Sequence, residues 1–118
     1  MTLLNDFFSI VSQSDDAYQV EFNPSHVIYQ AHFPGNPVTP GVCIIQTIVE
    51  LLEQRLGCPL ALRCVTNVKF VAPISPLTSP RVDVRFSSVA VAEGQVNARG
   101  TIADGDLIVT KFSLLLDQ

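Results

Sequence analysis

The chain has 118 residues, of which 47% are hydrophobic and 15% charged, with a net charge of −4. This length suits one domain, and the apolar material, spread along the whole chain, excludes disorder. The acidic balance argues against a nucleic-acid binder, which needs a basic surface to release counterions.

Apolar residues exceed what one small, well-solvated domain needs to bury, which points to an oligomer. Cys43, Cys58 and Cys64 are odd in number and lack zinc-ligand spacing, so they read as free thiols in a reducing compartment. No run is long enough for a transmembrane helix, and Leu3-Leu4-Asn5-Asp6 has no basic flank of a secretory signal. The expectation is a cytoplasmic protein with neither membrane nor nucleic-acid partner.

In chain order, Leu3, Leu4, Phe7, Phe8 and Val11 recur at loose helical spacing, which predicts a short helix over about 3–12. Tyr18, Val20 and Phe22 alternate with polar residues and predict a strand over 17–22, broken by Asn23-Pro24-Ser25. Residues 26–41 hold His32-Phe33-Pro34-Gly35-Asn36-Pro37 and Thr39-Pro40-Gly41. So dense a set of prolines and glycines predicts a stiff, shaped loop. From Val42 to Leu56 the chain is apolar on most sides, and Gly57 with Pro59 ends it; this predicts a long, covered helix over about 41–56.

Strands follow over 62–71, 81–91, 96–103 and 107–116, with turns at Glu93-Gly94 and Asp104-Gly105. One long helix followed by closely spaced strands predicts a single α+β domain over 1–118 with an antiparallel sheet.

The run HFPGNPVTPGVCIIQ, His32 to Gln46, resembles the signature of the 3-hydroxyacyl-acyl carrier protein dehydratases of fatty-acid synthesis. A second likeness lies at Lys69-Phe70-Val71-Ala72-Pro73-Ile74. The resemblance implies a hotdog fold, a curved antiparallel sheet wrapped around a long central helix. It implies a hydro-lyase that dehydrates a 3-hydroxyacyl thioester, carried on the phosphopantetheine of an acyl carrier protein or coenzyme A, to a trans-2-enoyl thioester. It implies no other cofactor; His32 and the scattered Asp residues have no ligand spacing, so no metal is expected.

Residue by residue, the resemblance makes His32 the base that removes the proton alpha to the thioester carbonyl; imidazole titrates near neutral pH and suits the task. Gly41, at the helix start, supplies an amide to the enolate-like oxygen. Phe33, Gly35, Pro40, Ile45 and Phe70 are expected at the substrate, and Lys69 at an acidic carrier protein.

Gln46 is the departure. The resembled enzymes carry an acid there, facing the partner's histidine, whereas an amide donates hydrogen bonds but is no Brønsted acid. Glu50, one helical turn on, is where the family often has Gln, so the pair looks exchanged. Three readings stay open: a dehydratase in which Gln46 places the leaving hydroxyl, a thioesterase using Glu50 to activate water, and a binding or assembly subunit paired with a catalytically complete relative. A homodimer or higher oligomer is expected in each.

Overall fold

The computed structural model describes residues 2–31 and 35–118. Six strands, β1 (Phe8–Gln13), β2 (Ala17–Phe22), β3 (Ala61–Phe70), β4 (Arg81–Ala92), β5 (Gln95–Asp104) and β6 (Leu107–Asp117), form one antiparallel sheet in the order β1-β2-β4-β5-β6-β3. The helices are α1 (Val27–Ala31) and α2 (Gly41–Leu56).

The predicted α+β class and antiparallel sheet are observed, but the sheet does not wrap around the helix. It is open, with β1 and β3 as its two edges. The core joins Ile44, Ile48, Leu51 and Leu52 of α2 to one face of the sheet, chiefly Val82, Val84, Val96, Ala98, Ile102, Leu114 and Leu116. β3 runs beyond this contact: only Val65 and Val68 along it are half-buried, and the rest is exposed. A curved sheet closed around α2 would have buried β3 as it buries β5. The architecture is hotdog-like, with the helix lying on an open sheet.

Two local expectations also change. The segment read as a helix over 3–12 is one turn followed by a strand. Asp6 N–H and Phe7 N–H donate to the Leu3 carbonyl at 3.1 and 2.7 Å, and Asn5 takes a left-handed φ of 68°. From Phe8 onward the chain pairs with β2, Phe8 opposite Phe22 and Ile10 opposite Val20. The spacing of Leu3, Phe7 and Phe8 fits either structure, and burial of all three against neighbouring elements decides for the turn and strand. The stretch read as a loop over 26–41 contains α1, and at the break before it Asn23 Oδ1 accepts the Ser25 N–H at 3.0 Å. This Asx turn launches α1, which buries Tyr29.

α2 ends as expected. Gly57 adopts φ 69°, and its N–H donates to the Glu53 carbonyl at 2.9 Å. Arg55, in the last turn, complements the helix dipole and sits 5.9 Å from the centre of the Phe86 ring.

The front of the chain is tied to α2 by a buried carboxylate. Leu3 N–H donates to both Glu50 oxygens, at 2.8 and 2.9 Å, and Leu4 N–H donates at 2.8 Å. Glu50 is only 4% exposed. A charged group in that setting is tolerable because N–H donors solvate it. Glu50→Ala leaves these amides without their acceptor, and the expected loss is about 2–4 kcal/mol in urea unfolding, with an unchanged urea dependence.

On the sheet, Gly100 faces Phe86 and Phe112 across β4 and β6, whose rings meet edge to face at 5.7 Å. A Cβ at Gly100 would fall on the Arg85 carbonyl and lie 2.7 Å from the Phe112 ring. Gly100→Ala therefore separates two central strands, and calorimetry is expected to record a destabilisation above about 2 kcal/mol.

Candidate functional site

The start of α2 is shaped by sequence in three steps. Pro40 holds an extended φ of −61° and ψ of 142°, which stops the loop from continuing the helix backward. Its carbonyl accepts the Cys43 and Ile44 amides at 3.0 and 3.1 Å, closing the first turn. Among the described residues no side chain caps this end, and the first-turn N–H groups of Gly41 and Val42 precede the helix's own hydrogen-bond ladder.

Beside that end lies a cleft of about 370 Å³ whose walls include Thr39, Gly41, Ile44, Phe70, Ala72 and Ile74. Phe70 leans over the helix start: a Cβ at Gly41 would lie 2.9 Å from its Cζ atom. Glycine at 41 therefore allows an aromatic ring to sit against the first helical residue. Phe70 is nonetheless 47% exposed. The far wall is fixed by polar contacts, Thr39 N–H donating to the Ile74 carbonyl at 2.8 Å and Thr39 Oγ1 hydrogen-bonded to the Tyr29 hydroxyl at 2.9 Å. Burial pushes the Tyr29 hydroxyl up to about 12, so it stays protonated. Tyr29 in turn stacks on Phe7 at 5.0 Å.

Gly41, Ile44 and Phe70 line one cleft, with the Phe70 ring against Gly41. Gln46 and Glu50 form a separate pair. Gln46 Nε2 donates to Glu50 Oε2 at 2.9 Å, and Glu50 faces the N-terminal turn at Leu3 and Leu4. Five residues separate Gly41 from Gln46, or about 140° around the helix, so one chain presents them on different faces. Ile45 and Pro40 are half-buried, and Gly35, at φ 86°, lines a smaller depression of about 220 Å³ with Tyr29 and Pro37. Lys69 is exposed on the other face of the sheet. His32 and Phe33 lie outside the described residues.

Cys43, in the first turn of α2, is buried, and burial pushes its thiol up, the opposite of an activated nucleophile. His26 serves its own neighbourhood: its Nδ1 accepts the Ile28 N–H at 3.1 Å, leaving Nε2–H to donate to Asp6 Oδ2 at 3.1 Å. Among the described residues, no group of three His, Cys, Asp or Glu could hold a metal, and no helix is long and apolar enough to cross a membrane.

Two participants escaped sequence reasoning. The Tyr29–Thr39 hydrogen bond depends on α1, which the proline- and glycine-rich composition of 26–41 concealed. Besides Gln46, the partners of Glu50 are the backbone amides of Leu3 and Leu4, which no side-chain pattern encodes.

The dehydratase FabZ of Chloroflexus aggregans, a 3-hydroxyacyl-acyl carrier protein dehydratase, is 28% identical over 83 residues, 64% of this chain and 58% of that protein. The corresponding enzyme of Thermomicrobium roseum is 33% identical over 86 residues, 67% of this chain and 57% of that protein. The chain thus spans less than two thirds of the length of these curated relatives. Among solved structures, the dehydratase heterocomplex ApeI:P of Xenorhabdus doucetiae superposes with a TM-score of 0.62 at 16% identity, covering 91% of this chain and 92% of that one. A thioesterase of Haemophilus influenzae gives 0.64 at 15% identity, covering 93% and 76%. At these identities the two structures speak for the fold alone. The ApeI dehydratase family matches residues 10–105, most of the chain, and the protein belongs to this ApeI-like family.

Proposed function

We propose that the protein is an acyl-thioester-binding subunit of the dehydratase type whose proton chemistry is altered, so that it holds a 3-hydroxyacyl or 2-enoyl thioester without efficient elimination. The observation that carries this reading is the commitment of Glu50. Where the resembled dehydratases have an acid, this chain has Gln46, whose amide cannot supply a proton. The next carboxylate on α2 is taken by the Leu3 and Leu4 amides and by Gln46 itself. Activation of water by Glu50, as a thioesterase needs, requires those donors to let go.

In this reading the acyl chain enters the cleft between α2 and Phe70, beside Gly41, Ile44 and Ile45. The Gly41 N–H meets the thioester oxygen, with Gly35, Pro40 and Phe33 shaping the approach. The thioester arrives on phosphopantetheine, from an acyl carrier protein or coenzyme A. Assembly is as a homodimer or higher oligomer, or with a catalytically complete relative. The unpaired edge of β3, with exposed Leu62 and Phe70, supports an assembly. So does the heteromeric nature of the Xenorhabdus doucetiae complex, a structural neighbour. The free thiols of Cys43, Cys58 and Cys64 fit a cytoplasmic setting.

A second reading, dehydration with His32 as base and Gln46 placing the hydroxyl, is favoured by the intact run from His32 through Gly41. Hydration of a 2-enoyl thioester separates the two. The wild-type protein is expected to bind the thioester with turnover near background. Gln46→Glu is expected to raise hydration about 100-fold, and adding His32→Ala to abolish that gain. Wild-type turnover in the ordinary enzyme range of about 1–10³ per second, lost in His32→Ala, contradicts the first reading and establishes the second. Release of free thiol instead contradicts both in favour of hydrolysis.

A further inference from the structure

The face of the sheet turned away from α2 carries an uneven charge distribution. The chain has seven basic and eleven acidic residues. Four of the basic ones, Lys69, Arg85, Arg99 and Lys111, are exposed at the middle of this face. Each alternates along its strand with residues turned toward the helix: Phe70 beside Lys69, Phe86 beside Arg85, Ala98 beside Arg99 and Phe112 beside Lys111.

Register places three of the four in one row. Arg85 pairs with Thr101, Thr101 with Lys111, and Lys111 with Lys69. Arg99 is one step along, opposite Ser113 and diagonal to Lys111. At a strand spacing of about 4.8 Å, the row spans about 14 Å. Beside it the face dips into a cleft of about 390 Å³ lined by Arg99, Lys111, Thr66, Asn67 and Ser113. Among the described residues none of the four cations makes an ion pair, the pairs being His26–Asp6, Arg63–Asp117 and Arg81–Glu21. Asp83, two residues before Arg85 on β4, flanks only one end of the row.

Two lysines directly opposite each other repel, and the pairing costs stability. Stability alone favours a threonine or a glutamate at one of the two positions. We infer that this row is a docking surface for a short acidic protein segment, whose carboxylates supply the counter-charges the fold withholds. The length of the row exceeds what one small anion covers. The net charge of −4 repels a long polyanion such as nucleic acid, so complementarity is confined to a short segment. The surface lies across the sheet from α2 and its cleft, and the inference stands whether or not that cleft turns over a thioester.

The probe is a labelled hexaglutamate peptide titrated into the full chain at low salt, read by anisotropy and by amide chemical shifts. Saturable, salt-sensitive binding with shifts clustered at Lys69, Arg85, Thr101 and Lys111 is expected. Lys111→Glu is expected to weaken binding at least about tenfold while leaving Tm unchanged or higher, because it replaces the repulsion of Lys69 with attraction. That opposite movement of binding and stability is not what damage to the fold produces. Lys111→Gln serves as a second variant should the glutamate fail to fold. Undiminished binding by either folded variant, or shifts centred elsewhere, overturns the inference. Displacement of the peptide by an equimolar amount of pyrophosphate also overturns it, in favour of a small-anion site.

Discussion

A carboxylate buried on the central helix organises the front of this molecule. Glu50 holds the Leu3 and Leu4 amides on one side and the Gln46 amide on the other. The first tie pins the turn that brings Leu3 and Phe7 into the core and hands the chain to β1. Phe7 then carries the constraint onward by stacking on Tyr29, whose hydroxyl meets Thr39 at the wall of the cleft. The N-terminal turn, α1 and the approach to α2 are thus one connected unit. The second tie fixes the Gln46 amide. With Nε2 on Glu50, its carbonyl oxygen is directed away from the carboxylate, because the reverse orientation would set two acceptors against each other. Gln46 thus spends an amide hydrogen on Glu50 at the place where the resembled enzymes have an acid.

The cleft depends on small residues in a comparable way. Gly41 admits the Phe70 ring against the first turn of α2, and Gly100 admits the Phe86–Phe112 pair between central strands. Both are close approaches of an aromatic ring to backbone; the first seats Phe70 against the helix start, and the second sets the spacing of central strands. Phe70, at the end of edge strand β3, leaves its wall of the cleft partly uncovered.

Much of this was legible in the sequence. Alternation in Val82-Asp83-Val84-Arg85-Phe86 and the Asp104-Gly105 turn place β4 and the β5–β6 hairpin, while Gly57 ends α2. Of the two stretches that carry the likeness, Gly41 and Phe70 lie against each other, while Lys69 is on the other face of the sheet. Three features were hidden for physical reasons. A period shared by one helical turn and an incipient strand made residues 3–12 ambiguous, and only pairing with β2 resolves it. Whether a sheet closes around a helix depends on how far β3 extends past the contact, which no local pattern records. The separation of Glu50 from the cleft is set by main-chain donors 46 and 47 residues away in sequence.

The central claim is that Glu50 is an anchor for the N-terminal turn, with Gln46 held beside it. Native-state hydrogen exchange at the Leu3 and Leu4 amides tests this most directly, because free chain ends exchange fast and these amides have a buried acceptor. The account predicts protection of both amides in the wild-type protein and its loss in Glu50→Gln, with core amides such as Ile48 and Leu114 unchanged. Fast exchange at Leu3 and Leu4 in the wild-type protein would contradict it and return Glu50 to the set of carboxylates available for chemistry.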